Sequence, residues 1–65
     1  MNFFKDNLLS YRKQLNMTQK KLAELLNVSN NNIGHWEKGR TEPNIDTIIK
    51  LAQIFNITID ELIRE

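Results

Sequence analysis

The chain has no cysteine, one proline and two glycines among its 65 residues. Without cysteine there is neither a disulfide framework nor a thiolate metal site, which suits a reducing compartment, and a cytoplasmic setting is expected. His35 is the only histidine, so a zinc site would need carboxylates for nearly every other ligand, and the carboxylates are scattered along the chain. Two separated glycines cannot build a phosphate-cradling loop, and no Ser-His-Asp or Cys-His arrangement can be assembled. Neither an enzyme nor a cofactor is expected. No apolar run approaches the roughly 20 residues of a membrane span, and Lys5 and Asp6 interrupt the apolar start where a signal peptide would be continuous, so no membrane partner is expected. A chain of this length reads as a single domain over residues 1–65 that buries only about 60% of its unfolded surface.

What is present is helical periodicity punctuated by caps. Residues 18–37 read as two short helices joined by a tight turn. Leu22, Ala23 and Leu26 share one face of the first, a core face, with Thr18 as N-cap and Met17 and Leu22 at the spacing of a hydrophobic staple. Ser29 caps the second, with Val28 and Ile33 as its staple pair. Asn27 stands between them, where a short turn needs a residue at positive φ and Asn is the best choice after Gly. On the second helix Ile33, Trp36 and Glu37 fall on one side, while Asn31, His35 and Lys38 fall opposite at i, i+4 and i+7. The outward face is polar and rich in amides. Trp36, beside Ile33 on the inner side, is expected in the core.

Ahead of this pair, Phe4, Leu8, Tyr11 and Leu15 mark an amphipathic core helix over about residues 3–15. After it, Gly39 is placed to close the helix carrying Trp36, and the loop from Arg40 to Pro43 has no apolar side chain apart from the proline. Asn44 caps a fourth helix whose expected apolar face is Ile45, Ile48, Ile49, Ala52 and Phe55, ended by a left-handed Asn56. Thr58 and Glu61 form a capping box that opens a fifth helix running toward Glu65.

Net charge is only +1, but it is unevenly spread: residues 11–40 hold six basic and two acidic side chains, whereas residues 41–65 hold two basic and five acidic ones. The basic part coincides with the helix pair. Lys20 and Lys21 also occupy a first helical turn, where the macrodipole disfavours cations and an anionic partner would compensate.

Arg12, Thr18-Gln19, Leu22-Ala23, Val28-Ser29, Ile33, Trp36-Glu37, Gly39, Pro43, Leu51-Ala52 and Ile57-Thr58-Ile59-Asp60-Glu61-Leu62 together resemble the lambda-repressor-like helix-turn-helix DNA-binding domains of the Cro/CI or XRE type. The resemblance covers nearly all of the chain. It departs from the family pattern at Asn27, where Gly is usual. It implies an all-α, compact five-helix lambda-repressor-like bundle with the helix-turn-helix in helices 2 and 3, and a transcriptional regulator, a repressor for preference, bound to a double-stranded DNA operator as a homodimer, at least on DNA. Helix 3 would enter the major groove with Asn30, Asn31 and His35 reading bases and Asn32 as a secondary candidate. Gln19 matches the family Gln that contacts phosphate and braces the recognition helix, and Thr18, Ser29, Lys38 and Arg40 are further phosphate candidates. Arg12 would pair with Glu37. Gly34, bare in mid-helix, suggests close approach either to Ala23 or to the groove wall. The competing expectation is a module that holds a protein partner, as an antitoxin does, with Ile59, Leu62 and Ile63 serving that partner, closing the core or joining two copies.

Overall fold

The computed structural model describes residues 3–64, and among these the chain forms five helices and no strand: α1 (Phe4–Gln14), α2 (Gln19–Leu26), α3 (Asn30–Glu37), α4 (Ile45–Phe55) and α5 (Ile59–Ile63). Each start after α1 follows its cap. Backbone N–H groups of Lys21, Asn31, Thr47 and Glu61 donate to the side chains of Thr18, Ser29, Asn44 and Thr58, and the Glu61 carboxylate accepts from the Thr58 N–H, so orphan donors are satisfied locally. The expected end of the fifth helix at Glu65 lies outside the described residues.

Four helices end alike. Asn16, Asn27, Gly39 and Asn56 are left-handed at φ 54, 58, 74 and 57°. In each case the next N–H reaches back five residues, from Met17 to the Arg12 carbonyl, Val28 to Ala23, Arg40 to His35 and Ile57 to Ala52. This double closure is the Schellman motif, normally sealed by an apolar residue in the second position. Met17, Val28 and Ile57 do pack against the core. Arg40 takes the same position on α3 and is exposed. Three times, then, an Asn, an apolar residue and a Ser or Thr stop one helix, seal the turn and start the next. Asn27 and Asn56 are the left-handed positions expected from the sequence, and Asn16 belongs to the same pattern. Because Asn27 is exposed at φ 58° and ψ 46°, Asn27→Gly should leave stability unchanged or raise it by up to about 1 kcal/mol in urea denaturation. A clear loss would mean that the Asn27 amide is itself needed.

The core is drawn from every helix: Phe4 and Leu8, then Leu22, Ala23 and Leu26, then Ile33 and Trp36, then Ile48, Leu51, Ala52 and Phe55, and finally Leu62. Tyr11 stacks on Phe55 with ring centroids 5.7 Å apart, joining α1 to α4. Two expectations need correction, and one left open is decided. Leu15 is 49% exposed because α1 stops at Gln14 and Leu15 enters the turn. Ile45 and Ile49 are 64% and 39% exposed, since α4 rolls its Ile48, Leu51, Ala52 and Phe55 side inward. On α5, Leu62 and Ile63 close the core while Ile59 stays exposed. The Asn7 amide donates to the carbonyls of Leu62, Glu61 and Arg64, so α1 satisfies the end of a helix only five residues long.

Candidate nucleic-acid interface

The inner face of α3 is anchored by a buried ion pair. Glu37, with its side chain 6% exposed, accepts from Arg12 Nε at 2.6 Å and Nη2 at 3.2 Å and from Gln19 Nε2 at 2.9 Å. Arg12 Nη1 donates to the Met17 carbonyl at 2.8 Å. The ion pair thus ties α1, the turn before α2, the first residue of α2 and the last of α3. A charge withdrawn this far from water persists only when paired and hydrogen-bonded, and both conditions hold. Trp36 is 6% exposed and belongs to the core, so it is not placed to stack on a base.

The outer face is built from polar groups. Gln19, Asn30, Asn31, Gly34, His35 and Lys38 line a shallow depression of about 380 Å³, and none of them is acidic. Asn30, Asn31 and Lys38 are exposed and His35 is half-buried. Asn32 is half-buried and lies outside this lining. Thr18 and Ser29 sit exposed at the starts of α2 and α3 with their oxygens engaged by cap N–H groups, which leaves each hydroxyl proton free to donate. Amides offer a donor and an acceptor in one plane, the pattern a base edge presents, whereas cations and hydroxyls suit phosphate.

Gly34 does not approach Ala23, one of the two neighbours expected for it. A methyl placed there would lie 3.9 Å from both Nε2 and Oε1 of Gln19, an ordinary contact, and Ala23 is farther away. Gly39 is more constrained, because it is left-handed and a Cβ would come within 3.0 Å of the Lys5 stem. Lys5 therefore lies against the end of α3, where it lines a second concavity with Lys38, Thr41 and Glu42. The sequence carried no signal for this cation, which reaches the motif only through the packing of α1 on α3.

A helix-turn-helix family model matches residues 8–62, which span α2, the turn, α3 and α4 together with parts of α1 and α5. The chain belongs to the XRE-type helix-turn-helix family of DNA-binding domains. Among its relatives, the HTH-type transcriptional regulator ImmR of Bacillus subtilis is 38% identical over 52 residues, which make up 80% of this chain and 41% of ImmR. The HTH-type transcriptional activator BcrR of Enterococcus faecalis is 40% identical over 60 residues, 92% of this chain and 29% of BcrR. The helix-turn-helix chain thus spans less than half the length of either relative. The crystal structure of a transcriptional regulator from Listeria innocua superimposes with a TM-score of 0.87 at 35% identity, covering 95% of this chain and 61% of that one.

In this helix-turn-helix protein the residues named from the sequence divide by place. Gln19, Asn30, Asn31, His35 and Lys38 surround one depression. Thr18 and Ser29 stand at the helix starts, Arg40 stands past the end of α3, and Asn32 is set to one side. None of the described helices is long and apolar enough to cross a membrane.

Proposed function

We propose that this protein is a sequence-specific regulator of transcription that inserts α3 into the major groove of double-stranded DNA. The observation that carries the reading is the division of α3 into two faces: Ile33, Trp36 and Glu37 are fixed inward, so Asn31, His35 and the capping Lys38 are held outward, and Asn30 is exposed in the first turn. Asn30, Asn31 and His35 read base edges, and an Asn amide matched to adenine N6 and N7 implies an adenine-containing half-site. Thr18, Ser29, Lys38 and Arg40 anchor phosphates, and Gln19 joins them. Arg40 suits this role because it stands exposed where the other Schellman turns pack a half-buried apolar side chain against the core.

The operator is taken to be a pseudo-palindrome bound by a homodimer. The Cα framework measures 25 × 24 × 21 Å, so two copies side by side can set their third helices about 34 Å apart, one turn of DNA. Repression would follow from simple occupancy of the site, and the setting is the cytoplasm, where the DNA is. The alternative, a module that holds a protein partner, draws on the exposed Ile45, Ile49 and Ile59.

Fluorescence anisotropy on a duplex selected from a random pool, and on a scrambled one, tests the reading. Asn31→Ala should weaken the selected duplex by about 1 to 3 kcal/mol and hardly change affinity for the scrambled one. Arg40→Ala should weaken both alike and lower the slope of log K against log salt by about one. If affinity for the selected duplex is indifferent to salt, or Asn31→Ala leaves the preference intact, α3 is not the reading helix and the protein-partner alternative gains.

A further inference from the structure

Lys5 reaches the helix-turn-helix from outside it. Asn fills the left-handed positions 16, 27 and 56, but position 39 is Gly, and the space a side chain would take there is already in use. A Cβ would stand 3.0 Å from Lys5 Cδ and 3.8 Å from Lys5 Nζ. The bare backbone of Gly39 is what allows the Lys5 stem to lie so close across the end of α3. Its charge is not spent within the chain. Lys5 is exposed, and no carboxylate among the described residues pairs with it. A cationic side chain that rests its stem on the protein and keeps its ammonium in water is available to an external anion.

The neighbours of the ammonium say which anion it meets. Lys5 and Lys38 line one concavity together with Thr41, and Glu42 is the one acid of that lining. Lys38 also lines the depression on the outer face of α3, beside Gln19, Asn30, Asn31 and His35. The two hollows therefore share Lys38, and Lys5 continues the polar surface of α3 past the end of the helix. Arg40 is exposed directly after Gly39, so three cations gather where α3 ends, one of them supplied by α1. An ammonium offers donors and charge but no acceptor, which suits a phosphate oxygen. The walls of the groove that α3 would enter are made of phosphates.

From this geometry we infer that Lys5 anchors a backbone phosphate of the DNA beside the end of α3, which carries the footprint beyond the helix-turn-helix onto α1. Gly39 is its positioning residue. The inference rests on the DNA-binding reading above and adds to it a contact from outside the motif.

The test uses the full chain, the selected and scrambled duplexes, and Lys5→Gln, which keeps most of the stem and removes the charge. With its fold confirmed by a circular dichroism melt, Lys5→Gln should weaken both duplexes alike and lower the slope of log K against log salt by about 0.9, the value of one phosphate contact. Lys5→Arg should restore the slope. Lys50→Gln, which removes the same charge from α4, should leave it unchanged. Neutral methylphosphonate placed at each phosphate of the selected duplex in turn then locates the contact: one position should weaken the wild type and have no effect on Lys5→Gln. If Lys5→Gln keeps the wild-type slope, or shifts it no more than Lys50→Gln does, or if both proteins respond to the same set of methylphosphonates, Lys5 touches no phosphate and the inference is overturned. Loss of preference for the selected duplex in Lys5→Gln, with the salt slope intact, would make Lys5 a base contact and overturn it equally. A wild type whose binding ignores salt would remove the DNA-binding reading itself, an outcome distinct from the failure of Lys5 alone.

Discussion

Glu37→Ala should cost about 3 to 5 kcal/mol, enough to leave much of so small a domain unfolded. The loss has three parts. The Arg12 guanidinium, 12% exposed, would be left charged without its partner. The Gln19 amide nitrogen would lose its acceptor, and the link that fixes the end of α3 to α1 would go. Arg12→Ala should cost a similar amount, since it strands the 6% exposed carboxylate and releases the Met17 carbonyl as well. Urea denaturation followed by circular dichroism, with exposed Lys50→Ala as the reference, reads the effect. Midpoints for Glu37→Ala and Arg12→Ala no lower than that of Lys50→Ala would show that the pair is solvated and contributes little.

Leu51→Ala should cost about 2 to 5 kcal/mol, whereas Ile45→Ala on the same helix should stay within about 0.5 kcal/mol. Both are large apolar residues on α4, and their difference is one of position: Leu51 is fully buried and Ile45 is 64% exposed. Removing the Leu51 side chain leaves a cavity in the core, while truncating Ile45 removes carbons that already largely face water. Equal losses in the denaturation midpoints would mean that Ile45 is covered in solution, as it would be in a homodimer formed through this face. In that case the Ile45→Ala loss should shrink as the protein is diluted.

The local chemistry of this chain is strong enough to be read residue by residue. Caps at Thr18, Ser29, Asn44 and Thr58 and left-handed turns at Asn27 and Asn56 depend on groups only a few residues apart, so the sequence by itself determined where α2 to α5 begin and where α2 and α4 end. The inward side of α3 was legible for the same reason, because Ile33, Trp36 and Glu37 share a face whatever they pack against. Other features waited for the tertiary structure. Whether an apolar helix face is buried depends on how far the neighbouring helices extend over it, and periodicity carries no such information. That is why Ile45 and Ile49 proved exposed and Leu51 central. Contacts between residues far apart in sequence were equally out of reach: Asn7 closing α5, Lys5 lying over Gly39, and the Gln19 amide resting beside Gly34 with its nitrogen held by Glu37. Each is set by the angle at which one helix crosses another, a property of the packed assembly and not of any segment within it.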